Sequence, residues 1–217
     1  PPTVSDTAPP AASSAASPTV LTRSVRYHAD GGALLEHLTR AGLLRTVDCG
    51  DGPGVRPVDC VLLESADITT KASRTTVAVL ETSAKLTCWG GTVTAEALST
   101  VDGEGPGVDG LAALARLEER LGEHVIDRSP GGLTLSLPTS ADDDPTIEER
   151  ERLTALSTIE PLRVLAQAEV DHPHLPLEAG AFAFDYLSTF ESLPEVAQGA
   201  NTCPDYLFYD ARIILVV

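Results

Sequence analysis

The sequence predicts an α+β fold with a largely antiparallel sheet and packed helices. Gly90 and Gly91 separate two apolar, strand-like runs, and a two-residue glycine connection is typical of a β-hairpin. Predicted strands and helices are mixed along the chain without the regular strand–helix–strand alternation that a parallel sheet requires. Hydrophobic residues make up 42% of the 217 residues, which is enough for a sizeable core.

The chain opens on a segment of different composition. Residues 1–19 consist mainly of Pro, Ala, Ser and Thr, with almost no large apolar side chains. Such a segment cannot bury enough surface to offset the entropy lost on ordering. We therefore expect a disordered leader over residues 1–19, followed by one ordered region over residues 20–217.

The first half of the ordered region is predicted to be rich in strands. Apolar alternation and turn residues predict its elements in chain order. These are a strand over Val20–Tyr27, a helix capped by Asp30 with Leu34, Leu35 and Leu38 on its apolar face, a loop over residues 48–57, and strands over Cys60–Leu63, Thr76–Leu80, Ala84–Cys88 and Thr92–Leu98.

The second half carries the clearest helix. Leu111, Leu114, Leu117 and Leu121 recur at helical spacing after Asp109, and Gly122 is predicted to end this helix as a left-handed cap. The other predicted elements are a strand at Leu133–Leu137, a helix that opens with the capping box Ser157–Glu160, a strand that starts at Gly180 and ends at Asp185-Tyr186, and a last strand that runs to Val217. Because the chain has no Met and stops on five apolar residues, we expect it to be the N-terminal portion of a longer protein.

Charge and cysteine spacing exclude several classes of function. The net charge of −17 repels phosphate backbones and anionic membranes, so we expect neither nucleic acid nor membrane as a partner. No apolar run reaches the ~18 residues of a membrane span. The four cysteines lack C-x-x-C spacing, which argues against a zinc site and favours a reduced, cytoplasmic setting.

Two segments of the chain resemble anthranilate synthase component I, a chorismate-utilising enzyme. The segment G-A-F-A-F-D-Y at residues 180–186, with F-E-S-L-P at 190–194 and P-D-Y-L-F at 204–208, is similar to the part that precedes the chorismate-binding region. The segment L-L-E-S-A-D-I at residues 62–68 is similar to an element of the family's allosteric tryptophan site. Residues 86–93 and 151–154 fit in order and spacing, so the resemblance covers about residues 20–217.

The resemblance implies the function of a parent enzyme. That enzyme makes anthranilate and pyruvate from chorismate and ammonia with Mg2+, and a partner glutamine amidotransferase supplies the ammonia. The chorismate and Mg2+ ligands are implied to lie in a C-terminal domain absent from this chain. We therefore expect no catalytic residue, no metal ligand and no bound cofactor here, and we expect the chain alone to be inactive.

Glu64 and Ser65 are the candidate binding residues for L-tryptophan, the feedback inhibitor that the resemblance implies. An amino-acid effector needs an acceptor for its α-ammonium group and polar groups that fix its orientation, and a strand end supplies both. From the dipeptide alone, a solvated strand end is the simpler interpretation, and the flanking L-L-E-S-A-D-I match is what favours the effector site. Lys71 and Arg74 follow and could meet the effector carboxylate, although solvated basic side chains are the simpler interpretation.

Other clusters are interpreted as structural. Asp185-Tyr186 favours a buried, hydrogen-bonded aspartate over a catalytic acid. His172 and His174 lack a third ligand at suitable spacing, and Asp142–Asp144 lacks the loop pattern of a calcium hand.

Two alternative functions remain open from the sequence. The same region of aminodeoxychorismate synthase or of a phenazine-pathway synthase would share the fold with a different product. A non-enzyme alternative is a stand-alone ligand-binding or interaction module.

Overall fold

The structure is a computed structural model of the chain, and it describes residues 20–24, 31–50, 54–66, 73–139, 155–168, 170, 172–189 and 203–216. Nine strands and three α-helices occur within these ranges. The helices are α1 (Gly31–Arg40), α2 (Val108–Leu121) and α3 (Glu160–Ala166). The strands are β1 (Thr46–Asp48), β2 (Val55–Pro57), β3 (Val61–Ala66), β4 (Ser73–Trp89), β5 (Thr92–Ala97), β6 (Val125–Ser129), β7 (Gly132–Ser136), β8 (Glu178–Phe182) and β9 (Tyr206–Val216).

The strands confirm the predicted α+β class with an antiparallel sheet. Seven strands form one sheet in the order β6-β7-β5-β4-β9-β8, and β3 pairs with the first half of β4. Every pairing between these strands is antiparallel. The hairpin between β4 and β5 turns at Gly90-Gly91 as predicted, and Gly90 has a φ of +56° that glycine tolerates without steric cost.

Strand β4 is the central and longest element. The sequence predicts two strands here, because the polar residues Glu81, Thr82 and Ser83 interrupt the apolar pattern. The structure instead has one strand of 17 residues, in which the pairing with β9 shifts register between Val79 and Ala84. Such irregularities bend a strand without ending it. This bend lets β4 pair with β3 near its start and with β5 near its end.

Helix α2 covers one face of the sheet and forms the main core. Leu114, Leu117 and Leu121 are buried, as helical spacing predicts, whereas Leu111 in the first turn, predicted on the same face, is exposed. They belong to one cluster with sheet and α3 residues that includes Leu86, Val93, Leu133, Leu135, Leu162, Leu165 and Tyr206. Gly122 is not the left-handed cap that the sequence predicts. Its φ of −58° and ψ of −29° are right-handed, and the chain continues into a short 3-10 turn.

Other differences fall in short or polar elements. Residues 48–57, predicted as a loop, contribute to the two-stranded β1–β2 sheet. Strand β6 was not predicted, because four of its five residues are exposed and leave no apolar alternation. Residues 20–24 form no strand, and the predicted leader, the rest of that strand and the Asp30 cap lie outside the described residues.

Candidate functional site

Glu64 lies on β3, directly beside the start of α1. It pairs with Thr76 of β4, and its side chain is exposed. The backbone N–H of Gly31 donates to Glu64 Oε1 across 3.4 Å. A Cβ built on Gly31 would lie 3.3 Å from both Glu64 Oε1 and the Leu62 methyl groups. Glu64 and Leu62 therefore define the face of β3 on which α1 packs.

An apolar cavity of about 320 Å³ lies against the opposite face of β3. Leu63 pairs with Val77, and Val77 pairs with Val216, so these three residues form one row across the sheet. The other wall is the segment 173–177. The cavity is lined by Leu63, Val77, Ile214 and Val216 of the sheet, and by Pro173, His174, Leu175, Pro176 and Leu177.

Ser65 follows Glu64 at the end of the regular β3–β4 pairing. Its backbone pairs with Thr75, and the register shifts between Ser65 and Ala66. The pairing resumes at Ala66 and Ser73, so the irregularity disrupts the ladder locally without ending it. The side chains of Ser65 and Arg74, and all of residues 67–72 with Lys71, lie outside the described part of the structure.

The two faces of β3 present different groups to a ligand. An apolar group would fit the cavity, which is within the size range of small-molecule sites. Glu64, one residue further along the strand, presents its carboxylate on the opposite face, beside α1. A carboxylate accepts about four hydrogen bonds, so its contact with Gly31 leaves capacity for a ligand ammonium group.

Asp185 and Tyr186 differ from their predicted placement. Strand β8 ends at Phe182, and both residues lie in a 3-10 helix over Phe184–Thr189. Asp185 is exposed, so the prediction of a buried, hydrogen-bonded aspartate is wrong. Tyr186 is the buried member, and its hydroxyl lies 3.0 Å from Thr158 Oγ1.

The candidate metal residues do not assemble into a site within the described residues. His172 Nε2 lies 3.3 Å from Thr22 Oγ1, while its Nδ1 accepts a hydrogen bond from the backbone of His174. The described ranges contain no group of three or more His, Cys, Asp or Glu side chains that could hold a metal ion. Asp142–Asp144 lies outside these ranges. All four cysteines are free thiols.

None of the described helices combines the length and the apolar character needed to cross a membrane.

The second wall of the cavity is the part of the site that the sequence did not predict. Residues 173–177 approach β3 only because β8, which follows them, pairs with β9 on the far side of β4. The sequence offers one signal for this wall, since His172-Pro173 and Leu175-Pro176 mark an irregular segment just before a strand. Proline spacing does not indicate which strand the segment faces.

The fold and the site together define an α+β module with a small apolar cavity on one face of β3 and an exposed carboxylate on the other. Comparison with known proteins adds the family resemblance. The chain is 35% identical to anthranilate synthase component 1 of Salmonella typhimurium over 174 residues, which is 78% of the chain. It is 36% identical to the Serratia marcescens protein of that name over 169 residues, 76% of the chain.

A third relative carries a more specific name. The chain is 33% identical over 156 residues, 71% of its length, to the pyocyanine-specific anthranilate synthase component 1 of Pseudomonas aeruginosa. The chain spans only about 30% of the length of these relatives, and 27% of the Pseudomonas protein. No protein-family model matches the chain. The similarities confirm the resemblance to anthranilate synthase component I that the sequence segments indicate.

Proposed function

We propose that the chain is the N-terminal portion of an anthranilate synthase component I and contributes the L-tryptophan feedback site to that enzyme. One observation carries the proposal, namely the similarity over about three quarters of the chain to proteins named anthranilate synthase component 1. It extends over 174 residues, far beyond the short segments that first suggested the family.

The proposed parent enzyme acts in tryptophan biosynthesis in the cytoplasm. It converts chorismate and ammonia to anthranilate and pyruvate, and a glutamine amidotransferase subunit supplies the ammonia. Chorismate and Mg2+ bind the C-terminal domain in this proposal.

The proposed tryptophan site lies at the end of β3, in the segment that resembles the family's tryptophan-binding element. The α-ammonium group would meet Glu64, and the Ser65 hydroxyl would fix the orientation of the amino acid. The cavity lined by Leu63 and Val77 lies on the opposite face of the strand from Glu64, so it is left out of the proposed site.

Feedback follows if tryptophan favours one arrangement of the enzyme over another. A ligand shifts a conformational equilibrium only by its difference in affinity for the two states. A tryptophan that contacts both this portion and the C-terminal domain would supply such a difference.

A second candidate is the same portion of an enzyme dedicated to another pathway. The similarity to a component 1 named as pyocyanine-specific supports it. Such an enzyme would differ in its regulation by tryptophan, so the feedback measurement separates the two candidates.

The test uses the full-length parent enzyme and the 217-residue chain side by side. Chorismate, ammonia and Mg2+ are supplied, anthranilate is measured by fluorescence, and L-tryptophan is titrated. We expect anthranilate from the full-length enzyme only, with inhibition by L-tryptophan and none by D-tryptophan. Anthranilate formation that L-tryptophan does not inhibit would favour the second candidate. Formation of aminodeoxychorismate, or no reaction of chorismate, would overturn the assignment.

A further inference from the structure

Two carboxyl groups meet between α2 and the sheet, outside the candidate tryptophan site. Glu178 is the first residue of β8 and pairs directly with Asp210 of β9. Cross-strand partners in an antiparallel pair hold their Cβ atoms about 4.5–5.5 Å apart. Two acidic side chains at such a pair repel each other if both are ionised.

No hydrogen-bond donor from the described residues relieves this repulsion at Glu178. Both of its carboxyl oxygens are buried, and no N–H or hydroxyl group donates to either. The group within hydrogen-bond range of Glu178 is the carboxyl of Asp210. Ionised carboxylates only accept, so a hydrogen bond between the two requires one of them to keep its proton.

Asp210 has a hydrogen-bond donor that Glu178 lacks. Ser83 of β4 donates its hydroxyl hydrogen bond to Asp210 Oδ2. Desolvation and then the charge of Asp210 raise the pKa of Glu178 well above its usual range, to about 9. The opposing effect of Arg116 on α2 is smaller, because this guanidinium lowers the pKa of Glu178 without restoring it.

Other charged groups near these elements are already paired. Arg212, two residues after Asp210 on β9, bridges Glu81 of β4 and Asp109 of α2. On α3, which packs against β8, Glu160 and Arg163 pair with each other. Lys85 of β4 pairs with Glu96 of β5. No further cation among the described residues is placed to neutralise Glu178.

We propose that Glu178 and Asp210 share a single proton at neutral pH and that this proton fastens the start of β8 to β9. This stabilisation of the β8–β9 pair depends on pH. When the proton is lost, the buried Glu178 carboxylate and the half-buried Asp210 carboxylate face each other across one strand pair, with Arg116 as the compensating charge.

The pair lies beside the wall of the cavity. Leu177, the last residue of that wall, directly precedes Glu178, and its carbonyl accepts a hydrogen bond of 2.9 Å from the Ala211 amide. Losing the shared proton therefore loosens β8 at the end that carries segment 173–177. This proposal does not depend on which ligand, if any, occupies the cavity.

The direction of the pH dependence of stability follows from the raised pKa of Glu178. A carboxyl whose pKa is higher in the folded state than in the unfolded state stabilises the fold most at low pH. That contribution declines as pH rises from the ordinary carboxyl range toward about 9. Glu178→Gln mimics the protonated form at every pH. The ratio of the unfolding constants of wild type and variant should rise up to about tenfold per pH unit in that window.

The experiment measures chemical unfolding of the chain between pH 5.5 and 9.5 for the wild type, Glu178→Gln and Asp210→Asn. Asp127→Asn removes the same charge from an exposed site and is the matched control. We expect Glu178→Gln to flatten the pH dependence and the control to leave it unchanged. Asp210→Asn should flatten it only in part, because the charge of Asp210 is removed while the burial of Glu178 remains. Equal pH profiles for Glu178→Gln and Asp127→Asn would overturn the proposal.

A second measurement does not depend on stability. At pH 7.5 the infrared spectrum of the wild type should show the carbonyl stretch of a protonated carboxylic acid, since other carboxyl groups are ionised. This band should vanish in Glu178→Gln and persist in Asp127→Asn. Absence of the band in the wild type would contradict the shared proton even if a variant fails to fold.

Discussion

Glu64 Oε1 accepts a hydrogen bond from the backbone amide of Gly31, the first residue of α1, across 3.4 Å. The first backbone amides of a helix lack partners within it and carry partial positive charge. A carboxylate from β3 therefore compensates the start of α1, whose first turn contains no acidic residue of its own. The side chain proposed to bind an effector thus also helps to attach a helix to the sheet.

Glu64→Gln tests the structural half of this role. The amide oxygen still accepts from Gly31, but the charge at the helix end is lost. We expect the free energy of unfolding to fall by about 0.3–1 kcal/mol at low salt, and by less at high salt. Urea unfolding measures the change. Glu104→Gln, in an exposed turn without a described partner, is the control and should stay within about 0.5 kcal/mol of wild type.

Ser65→Phe tests the regulatory role in the full-length enzyme. Loss of one charge-assisted hydrogen bond costs about 1.5–3 kcal/mol, which weakens tryptophan binding about tenfold to more than a hundredfold. Uninhibited kcat should stay near wild type, because chorismate binds elsewhere in the proposed enzyme. Inhibition curves for wild type and Ser65→Phe measure this. An unchanged half-inhibition concentration would mean that Ser65 belongs only to a strand end.

The sequence predicts elements whose apolar periodicity is complete, and α2 is the clearest example. Leu114, Leu117 and Leu121 recur at helical spacing and are all buried. The sequence fails where long-range pairing overrides local chemistry. Glu81–Ser83 suggests a break, yet pairing with β9 continues through it. Gly122 favours a left-handed cap, yet the chain keeps right-handed geometry there.

The sequence predicts some parts of the candidate site and not others. Glu64 and its strand follow from the L-L-E-S segment, whereas its contact with Gly31 and the cavity wall at 173–177 depend on tertiary packing. The sequence contains an indication of the Glu178–Asp210 pair. Period-two alternation puts Glu178 in one row with Phe182, and Asp210 in one row with Phe208. A carboxyl group in an aromatic row is a buried charge in need of an explanation.

Tyr206→Phe tests the buried link between β9 and the start of α3. The Tyr206 hydroxyl donates to the Thr158 carbonyl across 2.6 Å, and both residues are almost fully buried. Removing the hydroxyl leaves a buried carbonyl without this donor, so we expect a loss of about 1–3 kcal/mol in unfolding free energy.

Tyr209→Phe is the matched control for that change. The Tyr209 hydroxyl lies 3.3 Å from Asp59 Oδ1 in a half-buried setting, and burial together with Asp59 raises the pKa of Tyr209 to about 12. Water can replace this longer contact, so a loss below about 1 kcal/mol is expected. Equal losses of unfolding free energy for the two variants would show that the buried hydrogen bond to Thr158 stabilises the fold no more than the half-buried contact with Asp59 does.

Gly180→Ala tests the close approach of β8 to β9. A Cβ at Gly180 would lie 2.1 Å from the Leu207 carbonyl oxygen and 2.6 Å from Phe208 Cα, and both contacts are with backbone atoms of the central sheet. These atoms cannot move aside as a side chain could, so the edge strand must shift. Overpacking of this kind typically costs about 1–3 kcal/mol.

Gly122→Ala is the matched control, because its right-handed φ suits alanine and no atom lies within 4 Å of the added Cβ. We expect Gly122→Ala to raise the free energy of unfolding by about 0.4–1 kcal/mol through the unfolded chain. Thermal unfolding of both variants gives the two changes, which should have opposite signs. If Gly180→Ala unfolds at the same temperature as wild type, the close β8–β9 approach at this residue is wrong, and the pairing that brings Glu178 to Asp210 loses its support.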